Sequence, residues 1–165
     1  MANKLNVIID TNVFVSAFIT NDKLSPTIKI LDLFYDDKIH LYYSDDIISE
    51  YKDVLSRKEF NLNKKLIGTF INDIKKLGIR INPESLEEVT TDTKDQPFYE
   101  LVMSKKVNDS KLITGNIKHF PIKPFIMTPK EFIDKFYKWH LSILDSFSKY
   151  NIVSKISNRF SILFN

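Results

Sequence analysis

Five short apolar runs punctuate the chain, and the segments between them carry helical periodicity. Leu5-Asn6-Val7-Ile8-Ile9 is rich in β-branched residues and predicts a buried strand ending at Asp10. Ile39-His40-Leu41-Tyr42-Tyr43 predicts a second strand, Ile79-Arg80-Ile81 a brief third, Lys111-Leu112-Ile113-Thr114 a fourth and Phe125-Ile126-Met127 a fifth. Between them, Ser25-Pro26 supplies an N-cap and a first-turn proline, followed by Ile28, Leu31, Phe34 and Tyr35 at helical spacing. Ser44 caps a helix whose first turn holds Asp45 and Asp46, where the helix dipole favours negative charge. Its apolar stripe is Ile47, Ile48, Tyr51, Val54 and Leu55. A third helix is predicted from Leu62 to Leu77, with Gly78 as its C-terminal stop. A polar connection, Pro83 to Lys94, leads to a helix from Asp95 through Val107, and Thr128-Pro129 with Glu131 starts the last one. Strands alternating with amphipathic helices predict an α/β fold: a three-layer α/β/α sandwich on a central, mainly parallel sheet.

At 165 residues, 43% hydrophobic and 27% charged, the chain has the composition of a globular domain. No apolar run approaches the ~20 residues that span a bilayer, and Asp10 interrupts the first one too early for a signal peptide; a cytoplasmic protein without a transmembrane segment is expected. The lack of cysteine excludes disulfides and thiolate zinc sites. A formal charge of +3 does not by itself identify a nucleic-acid binder, but carboxylates gathered in a metal site would leave a more basic surface.

Ligands of open α/β sheets bind beyond the carboxyl ends of the strands. Two polar strand ends stand out, Asp10-Thr11-Asn12 and Thr114-Gly115-Asn116. Asp10 is also what a turn or a helix cap would use. Glu50 flanks the apolar stripe of its helix, so it is paired, protonated, bound to a metal or stretched past the edge to solvent. Asp95 suits an N-cap, and Asp92 could cap, bind metal indirectly or stay solvated. His119, beside a proline loop, reads as structural or solvated rather than as a general base. Lys64, Lys65, Lys75 and Lys76 fall on one exposed helix face.

The order of these pieces resembles the PIN-domain family. Val7 to Ser16 looks like its opening strand and turn, Ser44 to Tyr51 like the helix carrying its glutamate, and Asp95 to Leu101 like its third acidic motif. Lys111 to Gly115 is similar to the strand before the fourth, and Met127 to Phe132 to the VapC-like branch of toxin components of toxin–antitoxin pairs. The resemblance spans residues 5 to 136. It implies a Mg2+- or Mn2+-dependent ribonuclease cleaving single-stranded RNA, with Asp10, Glu50 and Asp95 as catalytic metal ligands and Asp92 as a further one. Asn12, Thr114 and Asn116 would support the site. Clustered carboxylates repel one another until metal binds, so activity should rise with pH.

One departure weakens the match. The family carries an aspartate after the Thr-Gly pair, and this chain has Asn116. A PIN-like RNA-binding or interaction module with little catalysis is therefore the alternative. A phosphatase with an aspartyl nucleophile would want a second aspartate where Asn12 stands. The expected organisation is a PIN-like domain over 1–136 and a helical extension over 137–165. In the extension, Lys138, Lys149, Lys155 and Arg159 outnumber Asp145, and Ile152, Val153, Ile156, Phe160 and Leu163 share a helical face. That basic, amphipathic tail could pack on its own domain or meet an antitoxin protein, a second copy in a homodimer, or an anionic membrane surface.

Overall fold

Val7, Ile8 and Ile9 have no exposed surface, so strand β1 (Leu5–Ile9) is covered on both faces and can only be central. Around it the computed structural model arranges β2 (Ile39–Tyr43), β3 (Ile79–Arg80), β4 (Lys111–Ile113) and β5 (Ile126–Met127). It describes residues 4–86, 90–104, 107 and 109–148, with side chains through Lys138. The five strands form one sheet in the order β3-β2-β1-β4-β5, and every pairing is parallel. Val7 faces Leu41 on one side and Lys111 on the other, and Ile9 faces Ile113. The chain builds outward from β1 to β3, then returns to β1's other edge for β4 and β5. That reversal creates a topological switch point between the carboxyl ends of β1 and β4.

Helices α1 (Thr11–Ile19), α2 (Pro26–Tyr35), α3 (Asp45–Leu55), α4 (Lys64–Leu77), α5 (Gln96–Met103) and α6 (Pro129–Ser148) make the crossovers and the chain's last described element. The chain divides into two compact units, the first through Glu131 and the second from Phe132. In the second, the rings of Phe132 and Phe136 lie 6.2 Å apart. The predicted amphipathic face from Ile152 to Leu163 lies outside the described residues. Among the described residues no helix is long and apolar enough to cross a membrane.

Several helix signals work as their chemistry requires. The side chains of Ser25, Ser44 and Asn63 each accept an amide hydrogen from the first turn that follows. Ile47, Ile48, Tyr51, Val54 and Leu55 are the buried residues of α3, the same five that its periodicity selects. Lys64, Lys65, Lys75 and Lys76 are exposed on α4. Thr128 and Glu131 cap each other's backbone: Thr128 N–H donates to the Glu131 carboxylate at 2.8 Å, and Glu131 N–H to the Thr128 hydroxyl at 3.2 Å.

Other expectations need correction. No helix is predicted over 11–19, yet α1 begins directly after β1; its apolar residues Val13, Phe14, Val15, Ala17, Phe18 and Ile19 lie nearly all round and conceal the period. In α2 the buried face is Thr27, Ile30 and Phe34, while Tyr35 is turned out and donates to Asp73 at 2.9 Å. Helix α4 starts at Lys64 rather than Leu62, because Asn63 is the cap. Helix α5 ends at Met103 rather than running to Val107.

Gly78 also differs from a left-handed helix stop, since its φ is −83°. Its need is space. A Cβ there would stand 2.7 Å from the Ile74 carbonyl oxygen and 3.0 Å from that of Leu41. Gly78→Ala is therefore expected to lower stability by roughly 1–3 kcal/mol through forced backbone movement. Urea unfolding monitored by circular dichroism measures this, and an unchanged midpoint would contradict it.

Candidate metal centre

Strand β1 delivers Asp10 to the switch point. Asp10 is only 3% exposed, and its amide donates to the Ile113 carbonyl at 2.9 Å, fastening it to β4. It occupies the N-cap position of α1, but makes no side-chain capping hydrogen bond. The cap explanation for this aspartate therefore fails. Its Oδ2 instead accepts from the Asn12 side-chain amide at 2.5 Å and from the Thr114 hydroxyl at 2.6 Å.

Those two neighbours are locked in turn. Asn12 Oδ1 accepts from the Gly115 amide at 2.9 Å, and Thr114 Oγ1 accepts from the Asn116 amide at 2.9 Å. Thr114 thus donates to the carboxylate and receives from the loop, using a hydroxyl's donor and acceptor capacities together. At Gly115 a Cβ would stand 3.1 Å from Asn12 Oδ1, so the residue's small size lets the two strand ends approach. Asn116 takes part through its backbone, and the residue is exposed.

Burial pushes the Asp10 carboxyl up to about 6, with the charge of Asp95 adding to the rise. The Thr114 and Asn12 hydrogen bonds work against it, and the Asn12 backbone amide favours the charged form without the alignment of a capping bond. Among the described residues no cationic side chain contributes to this balance.

Asp95 arrives on the connection before α5 and again occupies an N-cap position without capping. Its Oδ2 meets His119 Nδ1 at 2.8 Å. Desolvation raises the Asp95 carboxyl, while the His119 hydrogen bond and charge lower it and Asp92 raises it. The backbone carbonyl of His119 also accepts from the Thr91 amide at 3.2 Å and its hydroxyl at 2.8 Å. His119 therefore holds the acidic connection from two sides. The sequence reading missed this role, because Asp95 and His119 lie 24 positions apart and no local pattern couples them.

Asp92 accepts from the Lys94 amide at 3.0 Å and so closes a turn. Ligand atoms of Asp92, Asp95 and His119 nevertheless fall within 4.8 Å of one another, the tightest gathering of its kind among the described residues. Glu50, on α3, is partly buried. Desolvation raises its carboxyl, Arg57 and Lys94 lower it, and Asp53 and Asp95 raise it. Asp95 is thus close enough to act electrostatically on both Asp10 and Glu50. The expected trio Asp10, Glu50 and Asp95 is looser than the Asp92–Asp95–His119 group. His119 draws Asp95 toward itself, and like charges do not close up unaided.

The donor set suits a hard divalent cation. It is mostly carboxylate oxygen, and the partners of its most buried member among the described residues are neutral donors.

The raised Asp10 pKa fixes a sign for stability. Unfolded, the group releases its proton near 3.8; folded, near 6. Between these values the folded state binds more protons, so stability of the metal-free protein falls as pH rises through this window. The full cost, on the order of 3 kcal/mol, is present above it. Asp10→Asn is expected to remove that slope and raise the metal-free melting temperature at pH 7.5. Melting curves from pH 4 to 8 check this, and an unaltered slope would show that Asp10 is not the titrating group.

Residues 6–118 match the PIN domain family. An uncharacterized protein from Methanocaldococcus jannaschii is 31% identical over 148 residues, covering 82% of this chain and 94% of its own length. PIN domains are generally nucleases that depend on divalent metal and bind nucleic acid. With the all-parallel sheet and the carboxylates at its switch point, these matches establish that the chain belongs to the PIN domain family.

Proposed function

We propose that this protein is an endoribonuclease that cuts single-stranded RNA with Mg2+ or Mn2+ held by Asp10, Glu50 and Asp95, with Asp92 as an outer contributor. One observation carries the reading: Asp10 is a carboxylate 3% exposed, its pKa pushed up to about 6, and no cationic side chain among the described residues offsets its charge. A structural residue in that position would be replaced at no loss by a neutral one. A carboxylate that awaits a cation would not. RNA as the substrate rests on the motif resemblance of the acidic segments.

A divalent cation held by these carboxylates would lower the pKa of a bound water and offset charge on the phosphate. The chain's own groups do the rest. Asn12 and Thr114 aim the Asp10 carboxylate, and His119 holds Asp95 in place. Arg57 and Lys94, both exposed and near enough to favour the charged form of Glu50, supply positive charge for phosphates flanking the cut. Because a cation must displace the Asp10 proton, metal affinity should rise through about pH 6. The Thr128–Glu131 pair in the closing motif is accounted for as a helix start and carries no information about an antitoxin.

Asn116 favours a second reading, an RNA-binding module with little cleavage, because a neutral side chain stands in the fourth acidic place. The two readings separate cleanly. The ribonuclease reading expects a labelled single-stranded RNA to be cut with Mn2+ and spared with EDTA. Asp10→Asn, Glu50→Gln and Asp95→Asn should each reduce the rate about a hundredfold or more, since even outer-shell changes cost 10–100-fold. Wild-type rates in all three, free of contaminating nuclease, would reject the site; tight RNA binding without cutting would favour the module.

Asn116→Asp probes the departure directly. Charge-assisted contacts are about twice as strong as neutral ones, so Mn2+ binding should tighten by roughly tenfold. The position is exposed, so the metal-free melting temperature should hardly change, unlike the cost of a buried charge. Titration calorimetry on both proteins decides it, and equal affinities would put Asn116 outside the metal's reach.

A further inference from the structure

Tyr51 is wholly buried, yet its hydroxyl is neither idle nor solvated: it donates a hydrogen bond to the Ile9 carbonyl, the peptide group that joins β1 to Asp10. Its ring stands edge-on to Phe14 of α1, with centroids 5.0 Å apart, and 6.0 Å from Phe98 of α5. Phe14 lies four residues after Asp10, and Phe98 three residues after Asp95. Tyr51 itself follows Glu50 directly on α3. One side chain therefore touches the segment that presents each of two carboxylates and is covalently next to the third.

Each contact has a distinct mechanical consequence. The hydroxyl satisfies a buried carbonyl at the end of the central strand, so it holds the peptide plane from which Asp10 departs. The Phe98 contact fixes the distance between α3 and α5, and with it the offset of Glu50 from Asp95. The Phe14 contact sets the start of α1 against α3, where Asn12 reaches back to Asp10. Phe14 in turn packs on Phe70 of α4, 4.9 Å away, so the anchor extends into the core.

We propose that Tyr51 is a positioning residue for the metal centre: through its bond to the Ile9 carbonyl and its packing on Phe14 and Phe98, it sets the spacing of Asp10, Glu50 and Asp95. The inference rests on the metal-dependent reading above. Sites of this kind lose much of their effect when their support loosens by about 1 Å.

Two variants of the full chain probe the two kinds of contact. Tyr51→Phe keeps the ring and removes only the hydroxyl; Phe98→Leu keeps the hydroxyl and loosens the wall on α5. Ile74→Val, at a wholly buried position of α4 and outside the segments that carry Asp10, Glu50 and Asp95, serves as a control that costs stability. Mn2+ binding is followed by titration calorimetry at a temperature where circular dichroism shows each protein folded. Tyr51→Phe should weaken Mn2+ binding about tenfold, and Phe98→Leu severalfold, whereas Ile74→Val should leave it as in the wild type. In RNA cleavage at saturating Mn2+, Tyr51→Phe should lower kcat with little change in KM.

Equal Mn2+ affinity in wild type and in every folded one of the two variants would overturn the inference, and so would an equal loss in the Ile74→Val control. If one variant does not fold, the other still decides. Failure of the underlying reading looks different: the wild type would then bind no Mn2+, or bind it as well after Asp10→Asn.

Discussion

The constraint on which the site depends is the desolvation of one carboxylate. Asp10 lies at the end of a strand whose last three residues have no exposed surface, so its charge is carried into the edge of the core. Water is replaced there by an amide and a hydroxyl, which favour the anion, and by a neighbouring acid, which opposes it. Burial wins, and the group's pKa rises to about 6. A domain of this size has only about 5–15 kcal/mol of net stability. The cost borne at Asp10 is thus a sizeable share, which natural proteins accept at functional sites and rarely elsewhere.

The surrounding structure is organised to hold that charge without neutralising it. Asn12 and Thr114 are donors of fixed direction, and both are themselves tied to the loop after β4. This arrangement orients the carboxylate and leaves its charge available. An arginine in the same place would have quenched it. Asp95 is paired directly with His119, nearer the surface, and Glu50 feels the positive charge of Arg57 and Lys94. In the acidic connection, the Thr91 and Asp95 contacts to His119 tie the segment to the loop after β4. Support for the carboxylates thus comes from polar contacts on one side and from the aromatic cluster of Phe14, Tyr51, Phe70 and Phe98 on the other.

Position and role separate in an instructive way at the helix starts. Ser25, Ser44 and Asn63 stand at N-caps and cap, whereas Asp10 and Asp95 stand at N-caps and do not. Asp10 has the extended backbone of Ser44 and Asn63, whereas Asp95 is already helical, with φ −83° and ψ −14°. At Asp10 the facing end of β4 takes the side chain through Thr114; at Asp95 a helical backbone, unsuited to capping, leaves the side chain to His119. Asp92 behaves conversely, closing a turn through the Lys94 amide while its carboxyl group reaches the cluster.

Strands β1 and β2 and the buried face of α3 were legible in the sequence to the residue, because each depends on a pattern repeating within a few positions. The α/β layering followed from the alternation of those patterns, whereas the gathering of Asp92, Asp95 and His119 was not marked by any of them. Helix α1 was not, since apolar residues nearly all round it leave no polar face to mark the period. Gly78 was identified as a stop, but its reason, the nearness of the Leu41 carbonyl on β2, belongs to packing. The contact of His119 with Asp95 and the bond of Thr114 to Asp10, 104 positions apart, likewise arise only when strands and turns are brought side by side. The sequence by itself determined which segments become strands and helices, because hydrogen bonding along a helix and burial of an alternating face are local. Tertiary structure alone decided which polar side chains meet, and hence which carboxylate is desolvated, because solvation and charge coupling depend on distance through space and not along the chain.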